Sequence, residues 1–478
     1  MSEYRWTAAA VAQALGIPAP GPASDAYAGV TTDTRAVAPG SLFVALKGER
    51  FDAHDFLAQA AQAGAIAAVV SHVPQGAPEG MGYWVVDDTR AALGLLARHR
   101  RRAFAGRVVG VCGSNGKTTT KELLRAALRG TLRVHATEAN LNNQVGVPLT
   151  LLSLRDDAQV AVVEMGTNEP GEIAALTAIV EPDVGIMTSI GEEHLEGFGD
   201  VAGVFREETA LLEGMPAGSI AIVAEEPAEL PARAVELMGR DRVRVAGLLD
   251  SADLRPDDGA RGIQVQPDGS TRWSFRGTPV HLPQPGRHNV RNALIALGVA
   301  LELGVSAEDA ARGIARMPRP KLRGEWHQVG GMKVLADCYN SNPPSLSAAV
   351  DILASLPPGS AKVAVVGTMR ELGAQAEAIH LRAAEEIAGM LREGAIDRVV
   401  ATGEFVPAFQ SLADGFGERL VLAEDPIHAY EAARGALHGD ETILLKASRG
   451  VQLERWLPLL ERDFGTGEEP AATADTAH

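Results

Sequence analysis

The chain has 478 residues, a formal net charge of −17, 46% hydrophobic residues and two cysteines. That length exceeds one hydrophobic core and predicts about three domains, and the Gly- and Ala-rich, aromatic-poor makeup predicts a soluble α/β enzyme. The acidity excludes a nucleic-acid groove, which needs a basic face, and no apolar run or N-terminal signal pattern predicts membrane insertion or export. Cys112 and Cys338 sit in apolar runs and cannot form a disulfide framework, so a reducing cytoplasm is expected.

Residues 1–104 read as a small first α/β domain. Thr7 caps a short helix to Leu15. Ser41–Leu46 reads as a strand after the Pro39-Gly40 turn, followed by a helix over Phe56–Ala63 and a strand over Ile66–Val70. Asp87 or Asp88 caps a helix from Thr89 to about Phe104. Two polar stretches, Thr32–Arg35 and Lys47–Asp55, leave two readings open: turns and caps, or a binding surface.

Residues 105–317 read as the second domain. The β-branched run Val108–Cys112 ends in Gly113-Ser114-Asn115-Gly116-Lys117-Thr118-Thr119, and a helical pattern follows. Strand, glycine loop and helix make a phosphate cradle. Gly113 and Gly116 permit the tight turn. Lys117 would place its ammonium on the outer phosphates, and Thr118 would offer its hydroxyl to Mg²⁺. The strict G-x-x-x-x-G-K-[ST] spacing fails, because its first position falls on Val111.

Val160–Gly166 and Val184–Ile190 read as further strands, with a helix over Glu172–Val180 between them. Alternating strands and helices imply a mainly parallel sheet whose ligands lie beyond the strand ends. Glu164 sits at such an end and is placed to meet Mg²⁺. His194 follows the next strand beside Glu192 and Glu193, as a candidate ligand or as a packed histidine. Residues 262–282 alternate as an antiparallel hairpin does. Pro285–Ala293 then opens a helix whose polar first turn would meet a base or ribose.

Residues 318–465 read as a third, Rossmann-like unit, with strands at Val334–Ala336, Val363–Val366, Val399–Ala401 and Ile443–Leu445. Asp337–Ser345 and Lys446–Arg449 follow its first and last strands, where a strand-end crevice forms. Residues 466–478 are small, polar and acidic, and are expected to be disordered. The residues alone predict an Mg²⁺-dependent nucleotide triphosphatase, and the polar loops of its flanking domains favour a ligase over a switch or motor.

Gly113–Thr119 resembles the shortened phosphate loop of the Mur ligases, shared with folylpolyglutamate synthetases. Four more stretches narrow the resemblance: Asp33-Thr34-Arg35 with Leu42–Arg50, Asn140–Asn143 with Gly146–Thr150, His194–Gly199, and Asp337–Pro343. Together they resemble the branch of the Mur ligase family that joins D-Ala-D-Ala to UDP-MurNAc-tripeptide. The resemblance implies a peptidoglycan-precursor ligase with three domains, for the UDP-sugar, for ATP and for the amine substrate. It implies an acyl phosphate intermediate, and ADP and phosphate as products. A monomer acting on small-molecule substrates, with ATP and Mg²⁺, is expected.

Residue by residue, the resemblance puts Lys117 and the loop on the phosphates, Thr118 and Glu164 on one Mg²⁺, and His194 on a second. It puts Asn292 on the adenine, and Arg323 and Asp337 on the nucleotide. Asp33, Arg35, Asn142 and Asn143 would hold the UDP-sugar, and Asn340 and Asn342 would face the dipeptide. Ala139 and Thr368 depart from the family's usual Gly and Asp. Glu208 stands where the family commonly has a carbamylated lysine, with Glu207 as the alternative in a shifted register. The expectation is that Glu208 supplies an oxygen to the second Mg²⁺. The rivals are a folylpolyglutamate-type ligase, which the stretches Asp33–Arg50 and Asn340–Pro343 disfavour, and a nucleotide-gated binding protein without turnover.

Overall fold

The computed structural model describes residues 4–20, 26–48, 50–318 and 321–465. The expected disordered tail and Glu49 of the Lys47–Asp55 stretch lie outside the described residues. Two parallel sheets and a third, mainly parallel one follow one another along the chain, and a small antiparallel sheet lies between the second and the third.

The first sheet runs β1 (Val30–Thr31), β2 (Leu42–Val44), β3 (Ala67–Val70) and β4 (Gly82–Val85), in that order. The expected strand at Ser41–Leu46 shrinks to three residues, all buried. Thr7 caps the helix Ala8–Leu15, its hydroxyl accepting from the Ala10 N–H. Asp88, rather than Asp87, caps the helix Thr89–Ala103. The expected helix at Phe56–Ala63 is preceded by a 3-10 turn, Ala53–Phe56, because Asp52 caps earlier and its carboxylate accepts from the His54 N–H.

The helix Thr89–Ala103 is shared between two units. Ala97 and Phe104 pack in one cluster with Leu151, Leu154, Leu176 and Val180 of the central unit. Its last turn is basic. Arg100 is buried and donates to the Leu154 carbonyl at 2.7 Å and to Asp156 at 2.6 Å. Arg101 donates to the carbonyls of Val180 and Glu181 and to Asp183. Arg98 and Arg102 grip the Glu181 carboxylate. A buried arginine paired with a carboxylate is costly to disturb, since loss of one side strands the other.

The central sheet contains β5 (Arg107–Cys112), β6 (Val134–Ala136), β7 (Val160–Glu164), β8 (Val184–Met187), β9 (Ile220–Ala224) and β10 (Val243–Ala246). Their order is β10-β9-β8-β5-β7-β6, all parallel. β5 is buried from Val108 onward and lies between β7 and β8, so its loop opens at the middle of the sheet edge. The register pairs Val111 with Glu164, and Cys112 with Met187. That brings Glu164 and the Thr188-Ser189 pair level with the glycine loop. Strands β11 (Gln264–Val265), β12 (Thr271–Phe275) and β13 (Thr278–Leu282) form the expected antiparallel element, with one strand more than a hairpin.

The third sheet contains β14 (Glu325–Val329), β15 (Met332–Ala336), β16 (Lys362–Val366), β17 (Arg398–Thr402), β18 (Leu420–Ala423) and β19 (Thr442–Lys446), ordered β14-β15-β19-β16-β17-β18. β14 is an antiparallel edge strand that the sequence reading did not assign. The loops after β15 and β16 face the central unit, as does Lys446 at the end of β19.

Candidate active site

β5 leads straight into the loop, and the helix Lys117–Leu128 follows. Gly113 and Gly116 have φ of +119° and +86°. A Cβ on Gly113 would meet Thr188 Oγ1 at 2.5 Å, and one on Gly116 would meet Asn292 Oδ1 at 2.7 Å. Both conformation and space therefore demand glycine here. Neighbouring strand ends brace the loop: the Ser114 N–H donates to the Ser189 carbonyl at 2.8 Å, and the Asn115 N–H to Ser189 Oγ at 3.0 Å. No side chain caps the helix Lys117–Leu128, which leaves its first turn to an anion.

Lys117 folds back over the loop, its ammonium donating to the Gly113 carbonyl at 2.6 Å and to Glu193 at 3.2 Å. Burial works against this charge, but the carboxylates of Glu193, Glu208 and Glu164 outweigh it and hold the pKa above the usual lysine value. The Thr118 hydroxyl donates to Glu164 Oε1 at 3.1 Å, and the Asn142 amide donates to the same oxygen at 3.0 Å. The other Glu164 oxygen, Oε2, is buried without a hydrogen-bond partner, 3.5 Å from the ammonium of the buried Lys121.

His194 lies at the start of a short helix with φ +49°. Its Nε2 is 2.8 Å from Glu193 Oε1, and its Nδ1 is 2.6 Å from Glu371 Oε2 of the third unit. Burial pulls its pKa down, but the two carboxylates push it up to about 9. Glu208 is buried behind the loop, and its Oε2 accepts from the Gly113 N–H at 2.8 Å. Burial raises its pKa, Lys117 opposes and Glu193 adds to the rise, leaving it at about 7. Glu207 is spent on the N–H groups of Gly171 and Ile173.

A cavity of about 770 Å³ joins the central and third units. Ser114, Asn115, Gly116, Lys117, Thr118, Thr119, Asn142, Asn143, Glu164, His194, Asn292, Arg323, Asp337 and Asn340 all line it. Asn292 is buried against Gly116. The Arg323 guanidinium stacks 4.0 Å above the Tyr339 ring. Asn143 Oδ1 accepts from the N–H groups of Val145 and Gly146.

The remaining expected residues lie elsewhere. Asp33 and Arg35 pair with each other at 2.7 Å on the exposed surface of the first unit. Arg35 holds the Asp33 carboxyl at about 2. Asn342 caps the helix Pro343–Ser355 in a reciprocal box with Ser345, and Glu208 does not line the cavity. Among the described residues, no group of three His, Cys, Asp or Glu side chains is gathered as a metal site.

Sequence reasoning missed Glu193 and Glu371 as site residues, and placed Lys446 at the strand-end crevice without giving it a role. Lys446 is buried and reaches Asp337 at 2.9 Å and the Asn340 carbonyl at 2.8 Å, facing the cavity. Its place after the last strand was a usable signal. Glu371 carried none, because its partner lies in another unit.

A phosphate loop at the centre of a parallel sheet, closed over by a second α/β unit, defines a nucleotide-dependent enzyme with its cleft between units. Three family models match in turn: the Mur ligase family catalytic domain over residues 26–101, the Mur ligase middle domain over 111–300, and the Mur ligase glutamate ligase domain over 322–449. The chain belongs to the Mur ligase family. It is 36% identical over 457 residues to the UDP-N-acetylmuramoyl-tripeptide–D-alanyl-D-alanine ligase of Escherichia coli (strain K12), covering 91% of this chain and 94% of that one. Among solved structures, MurF from Acinetobacter baumannii superposes with a TM-score of 0.85 at 32% identity, covering 97% of this chain and 100% of that one. MurF ligase from Thermotoga maritima in complex with ADP gives 0.77 at 26% identity, covering 91% and 97%.

Proposed function

We infer that the chain is an ATP-dependent ligase that joins D-Ala-D-Ala to the terminal carboxylate of UDP-MurNAc-tripeptide, giving UDP-MurNAc-pentapeptide, ADP and phosphate. The observation that carries the reading is the single cavity into which the phosphate loop, Glu164, Asp337 and Lys446 all face. A carboxylate does not react with an amine at a useful rate. Transfer of the γ-phosphoryl group to that carboxylate makes an acyl phosphate. The amine then adds to its carbonyl, the C–O bond to phosphate breaks, and an amide remains. The protein contributes positioning and charge.

Lys117 leaves the Gly113 carbonyl and Glu193 to neutralise the outer phosphates. Asn292 and Arg323 border the nucleotide. Asp337 fixes Lys446, whose ammonium is placed to meet developing charge at the carboxylate. Asn142 and Asn143 border the UDP-sugar, with Asp33 and Arg35 on the first unit's face, and Asn340 borders the dipeptide. Asn342 supports that region by capping its helix.

The Glu164 carboxylate, with Oε1 at the Thr118 hydroxyl and Oε2 buried without a hydrogen bond beside the Lys121 ammonium, fits one Mg²⁺. Bound there, the ion would neutralise phosphate charge. The second cation site does not fit the side chains as they stand, since His194 is held between two carboxylates and Glu208 is bonded to Gly113. A donor role for Glu208 requires release of that amide. Turnover insensitive to CO₂ removal but lost in Glu208→Ala would support it; unchanged Mg²⁺ dependence in that variant would sink it.

The reading includes a cytoplasmic monomer. Both cysteines are buried free thiols, and among the described residues no helix is long and apolar enough to cross a membrane. The experiment is ADP release with UDP-MurNAc-tripeptide, D-Ala-D-Ala and MgCl₂, each omitted in turn. Release that does not require the dipeptide refutes the ligase reading, and persistence in excess EDTA refutes the metal.

A further inference from the structure

The helix Val201–Gly214 runs behind the phosphate loop and carries two consecutive buried carboxylates. Both are spent on backbone N–H groups. Glu207 accepts from Gly171 and Ile173 at 2.7 Å each, at the start of the helix Glu172–Val180. Glu208 Oε2 accepts from the Gly113 N–H at 2.8 Å. The Glu208 backbone carbonyl also meets the Cys112 thiol, with Sγ at 3.9 Å. One residue thus touches both sides of the peptide that joins β5 to the loop.

The next amides of the loop are held by the strand end opposite, where Ser189 takes the N–H groups of Ser114 and Asn115. With Gly113 these make three successive N–H groups pinned by the protein. The uncapped first turn of the helix Lys117–Leu128 is what remains for phosphate. Of the three pinned amides, Gly113 has the most freedom to turn. Its φ of +119° suits glycine, and glycine leaves other orientations of the Cys112–Gly113 peptide open as well. A buried N–H without an acceptor is costly, so loss of the carboxylate favours a rotated peptide that carries the following amides with it.

The same bond keeps Glu208 from a cation. The loop stands between it and the cavity, which it does not line. Its side chain is shorter than a carbamylated lysine, and its carboxylate stops at the Gly113 amide.

We propose that Glu208 is a positioning residue of the phosphate loop rather than a metal ligand: its carboxylate fixes the Gly113 peptide, and so the aim of the amides that receive phosphate. The inference rests on the loop's role as a phosphate cradle. It assigns position 208 a task that needs a hydrogen-bond acceptor and no divalent cation.

The test is calorimetric binding of ADP in excess EDTA, where no divalent cation is free. Glu208→Ala weakens ADP binding there by about tenfold, the scale of one lost charge-assisted hydrogen bond. Glu208→Gln, whose carbonyl still accepts from the Gly113 N–H, stays within about threefold of wild type. Glu207→Ala strips the neighbouring helix but not the loop, and changes ADP affinity by less than about twofold. MgCl₂ then strengthens binding of the β,γ-imido analogue of ATP by the same factor in wild type and Glu208→Gln. A metal-ligand role predicts the opposite pattern, with Glu208→Ala matching wild type in EDTA and Glu208→Gln losing the gain from MgCl₂. Either result overturns the proposal, as does an equal loss of ADP affinity in Glu207→Ala, which would mark both as effects on the fold. If Glu208→Ala melts early, Glu208→Met fills the same space without an acceptor and carries the test, and wild-type affinity in that variant overturns the proposal. Wild-type ADP binding without dipeptide-dependent ADP release would refute the ligase reading alone and leave these comparisons decisive.

Discussion

Glu208→Gln is expected to stabilise the ligand-free protein at alkaline pH and to leave it unchanged at acid pH. The wild-type carboxyl is buried and titrates at about 7, against 4.5 for an ordinary glutamate. The folded chain therefore holds a proton that the unfolded chain has released between these values, and stability falls as pH rises through that window. Multiplied by about 1.4 kcal/mol per unit, the rise costs about 3 kcal/mol once the group is ionised. Glutamine cannot ionise, and its carbonyl can still accept from the Gly113 N–H as Glu208 does at 2.8 Å. Thermal melts of both proteins at pH 4.5 and 8.5, without nucleotide, check this. For a unit of the central sheet's size the gain at pH 8.5 is roughly 6 °C or more. His194 also titrates, but it is common to both proteins and cancels in the difference. The same difference between the two proteins at both pH values would refute the reasoning, because the effect would then be packing rather than ionisation.

His194→Ala should show a separate pH dependence. The folded pKa of about 9 lies above the ordinary histidine value of 6.5, so the imidazolium stabilises the fold below about 6.5 and the contribution is lost as pH rises through 9. Melts at pH 6 and 10 should show a larger deficit at pH 6, of about 3 kcal/mol at most. Gly116→Ala should weaken ADP binding more than tenfold, roughly the effect of about 1.4 kcal/mol or more, because the new Cβ meets Asn292 Oδ1 at 2.7 Å. Adding Asn292→Ala should restore little, since φ of +86° strains any L side chain. Arg100→Ala should cost about 3–5 kcal/mol in urea unfolding, because Asp156 and the Leu154 carbonyl lose a buried partner.

Much of the central unit was legible because its signals are local. The apolar run of β5, the glycines and the helix after Lys117 are contiguous, and Glu164 ends a buried strand as its position predicts. Thr7 and Asp88 carry capping chemistry that any helix start would use. Asn342 carries the same chemistry and spends its side chain on a cap, which looks like a substrate contact in sequence. β4 and β14 were missed because each is short and only partly buried, so neither gives a long apolar run. The His194–Glu371 contact was illegible for a different reason. It depends on two left-handed residues in different units facing one another, and no periodicity encodes that. The expected partnership of His194 with Glu208 overlooked the Gly113 N–H, which competes for the carboxylate and binds it.

The helix Thr89–Ala103 bears on how the molecule can be cut. It follows the first sheet in the chain, yet Ala97 and Phe104 complete the central core and its arginines close the ends of the Gly146–Leu152 and Glu172–Val180 helices. A fragment begun at the phosphate-loop strand would expose that apolar face and leave Asp156 without Arg100 and Asp183 without Arg101. Recombinant pieces of this protein should therefore be designed to start before residue 89, and shuffling its nucleotide module with that of a relative requires this helix to travel along.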